Sequence, residues 1–176
     1  MNYKILFLLF IFNYNLHAID AKLKLVTINS SLDNVSQKAY VFGASEINRP
    51  LIVYLHSWDG NYKQKDSISG MSINSNINYI RSNHRGPNTN PKACLSKYVI
   101  SDIDDSINYM INKYSVDKNN IFVVGGSGGG YTAIGYYQKS KYKIKKTLAY
   151  VPITNLVQWY SETRWGGVKI NVLSKL

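Results

Sequence analysis

The apolar run Ile121, Phe122, Val123, Val124 passes straight into Gly125, Gly126, Ser127, Gly128 and Gly129, and this junction constrains the fold more than any other stretch. A short unbroken apolar run is the mark of a strand covered on both faces, as in a parallel sheet. Tyr131 to Gln138 follow as a helix. Gly125, Ser127 and Gly129 form G-x-S-x-G, a pattern in which the serine sits on a sharp strand-to-helix turn with its hydroxyl raised above the sheet. Glycine is needed on both sides because a side chain there collides with the neighbouring strand and helix. A glycine run also suits a flexible turn or a phosphate-binding loop. The nucleotide-binding forms fail: no Lys followed by Ser or Thr ends the run, and no acidic residue closes the next strand.

The flanking elements alternate. Lys22 to Ile28 and Gln37 to Phe42 alternate in polarity around the turn-prone Ser30, Ser31, Asp33 and Asn34, which predicts an antiparallel hairpin. Leu51 to Leu55 form a second buried strand and break at His56, Ser57, Trp58, Asp59 and Gly60. A short helix is expected between Lys65 and Asn74, and a strand around Ile77 to Arg81. From Ser101 onwards Ile103, Ile107, Met110, Ile111 and Tyr114 recur at helical spacing, with Asp102, Asp104 and Asp105 read as its acidic first turn. Asp117 to Asn120 close that helix. Thr147 to Val151 make the last strand. Strands alternating with helices imply βαβ units, so the expected class is α/β: a mainly parallel sheet with helices on both faces.

At 176 residues, with 45% hydrophobic and 13% aromatic composition, the chain has enough apolar material for one packed domain. Residues 1–18 read as a secretory leader, with Lys4 ahead of the run Ile5 to Phe12 and Ala18 at the cut. That run is too short to span a bilayer, which takes roughly 20 apolar residues, so no stable membrane insertion is expected after cleavage. The domain then occupies 19–176, and the product is expected to be exported, periplasmic or secreted. Loss of Lys4 leaves a formal charge of about +10, which suggests an anionic partner in general. The one dense basic run, Lys139, Lys141, Lys143, Lys145 and Lys146, contains no arginine and is a poor nucleic-acid reader. The lone Cys94 allows no internal disulfide and gives no metal-site spacing, so neither cofactor nor metal is expected.

Acyl transfer at Ser127 requires N–H donors for the developing oxyanion. Gly128, directly after the nucleophile, supplies the first. The second comes from the loop after Leu55, with Trp58 the leading candidate and Ser57 the alternative. His56 lies on that same loop, upstream of the nucleophile, and is a candidate substrate contact rather than a general base.

Four blocks together resemble the catalytic domain of the prolyl oligopeptidase family and its esterase-like relatives among the α/β-hydrolases: PLIVYLHSWDG at 50–60, YIRSNHRGPN at 79–88, SDIDDSINYMINKYSVDKNNIFVVGGSGGGYTA at 101–133 and AYVPITNLVQWY at 149–160. The resemblance implies a Ser, Asp, His triad in that chain order and an acyl-enzyme on Ser127, with a small ester or peptide as substrate. It makes Arg85 and Gly86 structural, with substrate contact the alternative for Arg85. It places Asn155 beside the site but outside the triad, where relatives often carry Asp.

Downstream of Ser127 there is no histidine, and Glu162 is the only carboxylate side chain. The resemblance therefore leads to the expectation of a partial catalytic domain, inactive alone and self-associating through an exposed sheet edge at Thr147 to Val151. A second class of function, a secreted non-catalytic protein that binds an anionic glycan or a partner, stays open beside it. His84 as a substitute base is a third.

Overall fold

A computed structural model describes residues 21–162 of the chain. The leader expected at 1–18 and residues 163–176 lie outside the described residues. Six strands form one sheet: β1 (Lys24–Asn29), β2 (Ser36–Phe42), β3 (Arg49–Leu55), β4 (Asn78–Ser82), β5 (Val116–Gly126) and β6 (Ile144–Tyr150), in the order β1-β2-β4-β3-β5-β6. β1 and β2 form the expected hairpin, with Lys24 opposite Val41, and β2 joins β4 antiparallel. β3 pairs in parallel with both β4 and β5, and β5 pairs in parallel with β6. The α/β expectation of a mainly parallel sheet therefore holds.

Four helices connect the strands: α1 (Ser67–Asn74), α2 (Lys97–Lys113), α3 (Gly128–Lys139) and α4 (Leu156–Glu162). The period of two along each strand assigns the faces. Val41, Leu51, Val53, Leu55, Ile80 and Val123 point into the core shared with α2 and α3. Tyr54, Tyr79 and Val124 point the other way and pack with Ile73 of α1. Helices thus cover both faces. The buried stripe of α2 runs Val99, Ile103, Ile107, Met110, and each such side chain contributes on the order of 1.5–3 kcal/mol through burial. Tyr136 of α3 donates to Asp104 Oδ1 at 2.6 Å, which ties the two helices on this face together.

Two boundaries differ from the sequence reading. α2 begins at Lys97, where Ser96 Oγ accepts from the N–H groups of Tyr98 and Val99. Asp102, Asp104 and Asp105 are therefore interior, and Asp102 and Asp104 are buried. β5 begins at Val116, opposite Arg49, so Asp117 to Asn120 belong to the strand rather than to a turn.

Candidate active site

Parallel strands deliver their C-terminal ends to one edge of the sheet, where ligands bind in α/β folds. β5 ends at Gly126, α3 starts at Gly128, and Ser127 between them holds φ 53 and ψ −119. A serine pays for positive φ with strain, so surrounding contacts must fix the turn. Ser127 N–H donates to the Tyr150 carbonyl at 3.1 Å, and its own carbonyl accepts from Tyr131 N–H at 3.1 Å and Ile153 N–H at 3.3 Å. The flanking glycines are required by contact: a methyl on Gly125 would lie 2.3 Å from the Gly129 carbonyl oxygen, and one on Gly129 would lie 2.2 Å from the Leu55 carbonyl oxygen. The chain makes a tight crossing of β5, α3 and β3.

The loop after β3 meets the elbow at Gly128. A methyl there would fall 2.5 Å from the Trp58 main-chain nitrogen. Gly128 N–H belongs to the first turn of α3, where N–H groups lack intrahelical acceptors and the helix dipole favours negative charge. Trp58 is 3% exposed and packs against Trp159 and Tyr131, with ring centroids 4.8 and 6.3 Å away. Asn88 N–H holds the Trp58 carbonyl at 2.8 Å.

Ser57 is engaged elsewhere: its N–H and Oγ both donate to Gln64 Oε1, at 2.9 and 2.8 Å. Gln64 Nε2 in turn donates to Tyr54 Oη at 3.1 Å. This corrects the alternative in which Ser57 serves as oxyanion donor, since that N–H is spent within its own loop. Gln64 carries no motif, and nothing in the sequence marks it as the brace of this loop.

His56 and Arg85 are corrected as substrate contacts. His56 is 1% exposed, with Nδ1 2.9 Å from the Ser57 carbonyl and Nε2 2.9 Å from the Asn83 carbonyl. Its ring stacks on His84, with centroids 3.9 Å apart and planes 11° from parallel. Burial holds the pKa of both rings below the ordinary histidine value, and the His56 ring further depresses that of His84. His84 Nδ1 lies 3.0 Å from the Ser82 carbonyl, so this buried ring does not act as a substitute base at Ser127. Arg85 is likewise consumed. Its Nε and Nη2 donate to the two oxygens of Asp102 at 2.7 and 2.8 Å, its Nη1 and Nη2 reach Asp33 at 2.9 Å, and Nη2 also meets Ser30 Oγ at 2.8 Å. It staples the hairpin turn to α2.

Asn155 lies near Ser127. The two share a cavity of about 330 Å³ with Pro152, Gln158, Trp159 and Glu162. Asn155 Oδ1 accepts from Gln158 N–H at 3.0 Å and so caps the start of α4, while Gln158 Nε2 donates to Glu162 Oε1 at 2.7 Å. No hydrogen bond joins Ser127 Oγ to another described residue.

A strand, a strained serine and a helix at the carboxyl edge of a mainly parallel sheet define an α/β-hydrolase domain. The chain superposes on puromycin hydrolase with a TM-score of 0.71 at 14% identity, over 88% of this chain and 26% of that one. It superposes on acylaminoacyl peptidase from Pyrococcus horikoshii with a TM-score of 0.67 at 17% identity, over 82% and 25%. For S-formylglutathione hydrolase from Staphylococcus aureus the TM-score is 0.66 at 14% identity, over 85% and 66%. The chain thus spans about a quarter of the length of the first two. No curated protein matches it in sequence. Residues 88–170, a little under half of the chain, match the prolyl oligopeptidase family, and the fold is that of the α/β-hydrolases.

Proposed function

We propose that the chain carries the nucleophile and oxyanion pocket of an exported serine hydrolase acting on small ester or peptide substrates. The observation that carries this reading is the positive-φ conformation of Ser127 with the Trp58 main chain packed against Gly128. In it, Ser127 Oγ attacks the substrate carbonyl carbon and loses its proton to a base. The carbonyl oxygen takes the negative charge between the N–H groups of Gly128 and Trp58, and collapse expels the alcohol or amine and leaves an acyl-serine. Water then releases the acid. The general base and its acid partner come from outside residues 21–162 in this reading; without them only an activated ester acylates Ser127, slowly and with the proton lost to solvent, and the acyl-serine then hydrolyses poorly.

Treatment of the full chain with p-nitrophenyl acetate tests it. The expected result is a Ser127-dependent release of nitrophenolate that stalls after a single turnover and is lost in Ser127→Ala; equal release by both proteins contradicts the reading. Export rests on the leader at 1–18. An exported product beginning near Ile19 is expected by mass spectrometry, and an intact Met1 in the cytosol alone contradicts it.

A further inference from the structure

A second cavity, of about 210 Å³, opens between β2, β4 and the loop after β3, and is lined by Tyr40, Lys63, Lys65 and Arg81. Its floor is a buried guanidinium. Arg81 is 2% exposed, donates from Nε to the Tyr62 carbonyl at 2.8 Å and from Nη1 to Asp66 Oδ2 at 2.8 Å. No described residue accepts from its Nη2. A guanidinium carries five N–H donors, and those of Arg81 not spent on Tyr62 and Asp66 remain for an acceptor that enters the cavity it lines.

Asp66 offsets the charge of Arg81. Its carboxylate already accepts from Ser69 N–H at 2.7 Å and Tyr79 Oη at 2.6 Å as well as from Arg81, and it caps α1. Beside this pair, Lys63 and Lys65 add two further cations to the lining. Tyr40 backs the guanidinium with its ring 5.3 Å from Arg81 Cζ, and Tyr62 stands 5.9 Å from Tyr40 with Lys63 Nζ 5.8 Å from its ring. Aromatic rings beside fixed cations suit an anionic group carried on a flat or cyclic body.

We propose that this cavity binds the oxyanion group, carboxylate or phosphate, of a small ligand, with Arg81 Nη2 as the fixed donor and Lys63 and Lys65 closing over it. The site is independent of Ser127. Thermal unfolding of the full chain in inorganic phosphate or in glucuronate, each at constant ionic strength against chloride, tests the proposal. Saturable stabilisation is expected, undiminished in Ser127→Ala and weakened about tenfold or more in Kd in the double variant Lys63→Gln, Lys65→Gln, whose exposed positions leave the core intact. Tighter binding of phosphate identifies phosphorylated ligands, and tighter binding of glucuronate identifies carboxylated sugars. Stabilisation equal to that in chloride, or unchanged in the double variant, overturns the proposal.

Discussion

The main chain of Trp58 packs directly against the α-carbon of Gly128, so that a methyl on Gly128 would lie 2.5 Å from the Trp58 nitrogen. Two loops from different strands thereby meet beside Ser127. Gly128→Ala forces the β3 loop away, and the expected effect is a fall of about 10²-fold in the rate of Ser127 acylation, the scale for loss of one oxyanion donor. Rates from stopped-flow absorbance, with circular dichroism to verify the fold, give the measurement. An unchanged rate in a folded variant removes Trp58 from the oxyanion pocket.

Arg85 is expected to matter for stability alone. Arg85→Ala strands the fully buried Asp102 carboxylate, and breaking a buried pair from one side costs about 3–5 kcal/mol. Urea unfolding should show a large drop in midpoint. Arg85→Lys is also expected to destabilise, since an ammonium cannot reproduce the fork across Asp33 and Asp102.

The stacked pair of His56 and His84 predicts a pH dependence of stability. Both folded pKa values lie below 6.5, the ordinary value that the unfolded chain keeps. At acid pH the unfolded chain therefore binds more protons than the folded one. The contribution of these rings is complete above pH 6.5 and is lost as pH falls from there through the lower folded values. Unfolding free energies between pH 8 and pH 5 should decline on the acid side, and His84→Gln should flatten that decline.

β6 pairs with β5 alone among the described strands, and Leu148 and Tyr150 are 54% and 44% exposed. This apolar edge is expected to drive self-association. Sedimentation velocity across a concentration series measures it, and Leu148→Lys is expected to shift the population towards monomer.

The sheet, the elbow and the loop beside it were legible because each rests on local pattern: a short apolar run for β3 and β5, alternation for β1 and β2, and glycine spacing around Ser127. Contacts between distant residues were not. His56 and Arg85 look like functional side chains in a sequence, yet carbonyls and carboxylates up to 52 positions away consume their polar atoms. The early start of α2 had a local signal in Ser96, with Val99 in phase with Ile103, that the aspartates at 102, 104 and 105 obscured. α4 also has a local signal, since Asn155, three residues before Gln158, is a regular helix-capping arrangement.

Labelling with a fluorophosphonate determines whether Ser127 is the nucleophile. The full chain is incubated with the reagent, digested, and mapped by peptide mass spectrometry beside Ser127→Ala. One phosphonylated residue, Ser127, is expected, with no adduct in the variant. An adduct on another serine, or equal labelling of both proteins, contradicts it.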